Sequence, residues 1–116
     1  MYTVKMENSK ELGLKGRKVM VFIGSDSVKS DRMTLGMTEV PPNSVMDPHV
    51  HEDKEELIFV IEGKGEVVID GKREELDPYT AAIFPLGLVH QVFNNNDMPL
   101  RFMFVFNPPN DFSSAR

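Results

Sequence analysis

Short apolar runs closed off by turn residues succeed one another from Arg17 to Phe106, and this rhythm leaves room for little besides an all-β fold. Arg17 to Ile23 reads as a strand ended by Gly24-Ser25-Asp26-Ser27. Met33, Leu35 and Met37 alternate with Thr34, Gly36 and Thr38, the period-two signature of a strand with two different faces. Pro41-Pro42-Asn43-Ser44 breaks that pattern. Leu57 to Ile61 is a continuous apolar run bounded by Gly63 and Gly65. Glu66 to Ile69 and Lys72 to Leu76 flank Asp70-Gly71, a strong short hairpin signal. Ala81 to Phe84 and Val89 to Phe93 are separated by Pro85-Leu86-Gly87, and Leu100 to Phe106 runs into Pro108-Pro109. The pattern predicts about nine to ten short strands, hence a sandwich or barrel. Ser9 to Leu14 is the stretch expected to hold a helical turn.

A chain of 116 residues fits one domain, 1–116, with no internal repeat or linker. Apolar residues make up 41% and charged residues 27%, a balance that excludes a disordered chain. Acidic residues outnumber basic ones, 18 to 13, for a net charge of −5, which argues against a nucleic-acid partner. A small anionic ligand stays compatible, because a local metal ion outweighs the global charge. Cysteine is absent, so disulfides and thiolate chemistry are excluded. No run approaches the roughly 18–20 apolar residues that span a bilayer. The opening Met-Tyr-Thr-Val-Lys does not resemble a signal peptide, so no membrane partner and a cytoplasmic location are expected.

The chemistry lies in three histidines. His49-Val50-His51 places two imidazoles on one side of an extended backbone, because residues two apart share a face. A bare H-x-H pair is more often a surface feature than a site. Glu56, however, leads into the apolar run Leu57 to Ile61, where a carboxylate needs a partner to offset its desolvation. Glu55 competes with Glu56 for that role. His90 sits in a matching position, beside Val89 and just after the Pro85-Leu86-Gly87 turn. Three imidazoles and one carboxylate suit a borderline transition metal and leave positions open for a ligand.

These residues resemble the two motifs of the cupins, in particular the small single-domain type. The first has the form G-x5-H-x-H-x3,4-E-x6-G, and residues 43–63 read His49-Val50-His51, four residues, Glu56, six residues, Gly63. The second has the form G-x5-P-x-G-x2-H-x3-N, and residues 79–94 read Pro85-Leu86-Gly87, two residues, His90, three residues, Asn94. The spacing to Gly63 favours Glu56 over Glu55. Both opening glycines are replaced, by Asn43 and Tyr79. The resemblance implies a double-stranded β-helix, or jelly-roll barrel, holding one divalent ion per chain on His49, His51, Glu56 and His90. Manganese, iron, nickel, zinc and copper are equally compatible. It also implies a homodimer joined through an outer sheet face, as small cupins commonly form.

Met46, three residues before His49, is expected in the pocket wall and is the candidate substrate contact. Met33, Leu35, Met37, Phe59, Phe84, Phe93, Phe102, Phe104 and Phe106 are expected mainly in the core, and Gly63, Gly65 and Gly87 in turns of positive φ. Arg101 and Gln91 are expected outside, and Asn94 is expected to stabilise a turn. Two classes of function fit. One is an enzyme acting on a small organic acid or sugar-like molecule as a dioxygenase, decarboxylase or isomerase. The other is a metal-dependent binding or sensor protein. A barrel whose metal is purely structural fits less well with a full ligand set.

Overall fold

A computed structural model describes residues 1–24 and 28–112. Among the described residues, eleven strands follow a 3₁₀ turn at Met6–Asn8: β1 (Lys10–Leu14), β2 (Arg17–Gly24), β3 (Val28–Lys29), β4 (Thr34–Val40), β5 (Ser44–Val45), β6 (Glu55–Glu62), β7 (Gly65–Ile69), β8 (Lys72–Leu76), β9 (Ala81–Phe84), β10 (His90–Asn94) and β11 (Leu100–Asn107). One sheet has the order β1-β2-β4-β11-β6-β9, with β3 on β2; the other has the order β5-β10-β7-β8. The fold is an all-β jelly roll. Most pairs are antiparallel, β2 with β3 being the parallel exception. Among the described residues no helix is long and apolar enough to cross a membrane.

The core lies between the sheets. Its largest buried side chains include Phe84, Phe102, Phe104, Leu76 and Leu100. Strand β11 supplies Phe102, Phe104 and Phe106 to it from alternate positions, and β6 supplies Glu56, Ile58 and Val60. The antiparallel register sets Phe106 opposite Glu56, and Glu56 opposite Phe84. The buried carboxylate therefore stands between two phenylalanines of neighbouring strands.

Several expectations need correction. Ser9 to Leu14 forms no helical turn: Lys10–Leu14 is an edge strand hydrogen-bonded to β2, and the turn of helix lies earlier. The alternation of Leu12 and Leu14, both buried, explains the strand. In β4 the inward face carries Thr34, Gly36, Thr38 and Val40, and Met33 is 47% exposed. Gly36 faces the Phe104 ring and the Met20 carbonyl, and that crowding leaves no room for a Cβ there. Phe59, expected in the core, is 43% exposed on the outer face of β6. Gly63 and Gly87 have positive φ, but Gly65 does not. A Cβ on Gly65 would meet the Phe93 carbonyl oxygen at 2.5 Å, so close strand approach is what demands glycine there. The turn expected at Gly24-Ser25-Asp26-Ser27 lies largely outside the described residues.

The two replaced motif glycines keep the backbone that glycine would supply. Asn43 has φ 51° and Tyr79 φ 68°. Asparagine reaches the left-handed region at modest cost, whereas tyrosine rarely does. The Tyr79 N–H donates to the Val60 carbonyl at 2.7 Å, which ties this turn to β6. Asn94 is fully buried and its amide donates to the carbonyls of Val40, Pro41 and Met98. It closes the loop beside β10, as a turn-stabilising side chain would. Arg101 lies on the outer face, bound to Glu39 at 2.7 Å and Glu62 at 3.3 Å. Gln91, also facing away from the core, donates to the Met46 carbonyl.

Candidate metal centre

Backbone pairing brings the histidines together. His49 and His90 form an isolated antiparallel bridge, each N–H donating to the other's carbonyl at 2.8 Å. Residues directly opposite in such a pair put their side chains on one face. His51 follows His49 by two and is tied to the second motif by the Gly87 N–H, which donates to its carbonyl at 2.9 Å. The Phe84 ring stacks on His90 at 4.0 Å between centroids, and the Phe106 ring meets His51 edge-on at 5.1 Å. The two phenylalanines that flank Glu56 thus also hold two of the imidazoles.

The result is a tight group. Glu56 Oε1 lies 3.4 Å from His51 Nε2 and 3.8 Å from His90 Nε2, and donor atoms of all three residues fall within 4.8 Å of one another. With bonds of about 2.1 Å, two donors on one ion stand about 3.0 Å apart at a right angle and about 4.2 Å apart in line. Both carboxylate–imidazole separations fall inside that range and are long for direct hydrogen bonds. Glu56 and His90 are buried, while His51 remains 21% exposed on its side chain. Glu55 is exposed on the other face of β6. His49 stands slightly apart from the triad, its ring centroid 6.0 Å from that of His90 and 6.4 Å from that of His51.

Protonation follows from burial. Burial, and then the charges of His51 and His49, push His90 down to about 4, against a weaker opposing effect of the Leu88 backbone. His90 Nδ1 is buried without a well-formed hydrogen bond. His49 is lowered by burial and by Arg17 and His51. Neutral imidazoles offer the lone pairs a metal requires. Burial raises Glu56, against smaller opposing effects of His51 and Arg17. A carboxyl held this way gains most from a cation placed beside it. The donor set and its spacing fit a divalent ion.

These residues line a cavity of about 190 Å³ whose other walls include Met46, Val92, Phe102 and Phe104. The sequence reading missed two contributors. Arg17, the first residue of β2, lines this cavity. It shares the inward face with buried Val19, two residues on. Asn110, Asp111 and Phe112, beyond the proline stop, also line it. That segment is held by the Asn110 N–H donating to Thr34 Oγ1 at 3.0 Å and by Phe112 packing on Phe104 and Phe106.

Residues 36–106 match the cupin domain family. The chain is 30% identical to the polyketide cyclase RemF from Streptomyces resistomycificus, over 92% of this chain and 79% of that one, with a TM-score of 0.78. KdgF from Halomonas sp. has the same fold, with a TM-score of 0.80 at 18% identity, covering 96% of each chain. Polyketide synthase CurC from Streptomyces cyaneus is 28% identical over 64% of this chain, which spans 48% of CurC. The paired motifs, the jelly roll and the match over most of its length place the chain in the cupin family.

Proposed function

We propose that the chain binds one divalent transition metal through His51, Glu56, His90 and His49, and acts as an enzyme on a small organic acid or sugar-like molecule. The observation that carries this reading is the convergence of two imidazole nitrogens on one buried carboxylate oxygen in an open cavity. An ion held there would act as a Lewis acid on a ligand oxygen. The chain's own part is to orient and to exclude water. Phe84 and Phe106 fix the imidazole planes, Phe102 and Phe104 supply apolar walls, and Met46 offers an adaptable thioether to the ligand. The cavity slightly exceeds the roughly 150 Å³ that holds benzene, so a ligand of about one ring or a short chain fits. Cyclisation joins oxidation, decarboxylation and isomerisation among the reactions to test, because RemF is described as a polyketide cyclase.

The test is elemental analysis of the purified protein after supply of manganese, iron, nickel, zinc and copper, repeated with His51→Ala. The wild type should hold about one ion per chain, and the variant should lose it. A wild type that takes up no metal overturns the reading. Metal uptake without turnover of any acid or sugar supports the binding-protein alternative.

We further propose that two copies pair through the outer face of β6, where Leu57, Phe59 and Ile61 lie exposed beside Ile83 of β9. Strands apolar on both faces are usually covered on both. Light scattering on the eluting protein should give a dimer mass.

A further inference from the structure

We propose that Arg17 is the anion anchor of the cavity, receiving the carboxylate of a small hydroxy or oxo acid whose adjacent oxygen faces the His51–Glu56–His90 group. The proposal rests on reading that group as a metal site. Arg17 is the one permanent cation among the described residues of the lining. It is half-buried, so its charge carries a desolvation cost that a bland surface arginine would not. Burial lowers its pKa, and Glu56 and Asp47 act on it only as charges at a distance. Among the described residues no carboxylate pairs with its guanidinium. Asp47 pairs instead with Lys15 at 3.3 Å, and Glu56 Oε1 faces the two imidazoles.

A structural arginine would be consumed by a contact ion pair, as Arg101 is by Glu39. Among the described residues Arg17 makes no such ion pair, and it lies in the cavity lining. Its planar fork matches a carboxylate in a way a lysine does not. The apolar walls between the two poles leave space for the carbon skeleton.

Calorimetric titration of the zinc-loaded protein with glycolate, and with its neutral isostere glycolamide, tests this. Wild type, Arg17→Gln and Arg17→Lys are compared, with zinc content and thermal melting measured on each sample. Wild type should prefer glycolate. Arg17→Gln should weaken glycolate about 10- to 100-fold, as the loss of a charged hydrogen bond does, and leave glycolamide and zinc content unchanged. Arg17→Lys should fall between. Equal glycolate affinity in wild type and Arg17→Gln overturns the proposal, as does a wild type that fails to bind glycolate. If wild type takes up no zinc, the metal reading fails separately. Arg17 is then judged on the metal-free protein. A shift of its Nε–H resonance on adding glycolate supports the anchor, and an unmoved resonance overturns it.

Discussion

The two faces of β6 are made of the same strand and do opposite things. Inward, Glu56, Ile58 and Val60 are buried, and the first is a carboxylate kept from water. Outward, Leu57, Phe59 and Ile61 remain 37% to 47% exposed. A fold built for stability alone would exchange these assignments, putting the acid in solvent and the large apolar groups inside. The inner face gives up stability to hold a donor group, and the outer face keeps apolar area available for a second surface. Function is written where each face departs from its simplest use.

The sharpest way to break the comparison is to remove the inner charge. Glu56→Gln keeps the shape and hydrogen-bonding capacity but cannot ionise. Metal affinity should drop by more than about 100-fold, because a direct ligand matters at least as much as its supports. The metal-free variant should nonetheless be more stable than metal-free wild type by about 1–3 kcal/mol at pH 7, since a desolvated carboxylate is gone. Denaturant melts of both metal-free proteins measure this. A destabilised variant would show that Glu56 is a structural acid satisfied by its neighbours.

The pH response separates the groups on that inner face. His90 is held near 4 in the folded protein, below its ordinary 6.5. Between those values the unfolded chain binds more protons, so its contribution is intact above pH 6.5 and is lost as pH falls toward 4, by up to about 3 kcal/mol. Glu56, raised by burial, opposes this: protonation on acidification relieves its cost. Metal-free Glu56→Gln should therefore lose stability from pH 6.5 to 4 more steeply than metal-free wild type. Adding His90→Phe should flatten that slope. Equal slopes in all three proteins would mean that neither group titrates as its burial requires. Chelation at constant pH should have a smaller effect, lowering the melting temperature without unfolding the barrel, whose apolar core cluster is built from residues other than the ligands.

The inner face was partly legible in the sequence. Strand ranges came from turn chemistry: Asp70-Gly71 does join β7 and β8, with Asp70 and Gly71 both at positive φ. Histidine parity and motif spacing named residues that the fold brings into one cavity. What period two cannot tell is which face points inward when both are apolar. In β4 Met37 is buried as expected but on the face opposite the threonines, and Thr34 and Thr38 face the core, where Gly36 between them admits the Phe104 ring. Phe59 was misassigned for the same reason, its neighbours on both sides being equally apolar. Arg17 escaped because a charged residue opening a strand reads as a boundary. Only the packing of β1 and the cavity reveal that it points inward. The segment 110–112 escaped because Pro108-Pro109 ends a strand without saying where the chain goes next.

The outer face offers the gentlest test. Phe59 lies opposite Ala81 on one neighbouring strand and Met103 on the other, its ring 6.2 Å from that of Tyr79, with no inward contact to the site. Phe59→Glu should convert a dimer to a monomer by light scattering. Metal content should stay at the wild-type level, and the monomer's own stability should change by only about 0.5 kcal/mol, as for an exposed position. A wild type that is already monomeric would mean that the exposed apolar row is simply tolerated. A dimeric Phe59→Glu would move the interface elsewhere. Loss of metal on this substitution would be the most informative failure, because it would tie the two faces of β6 together through the backbone they share.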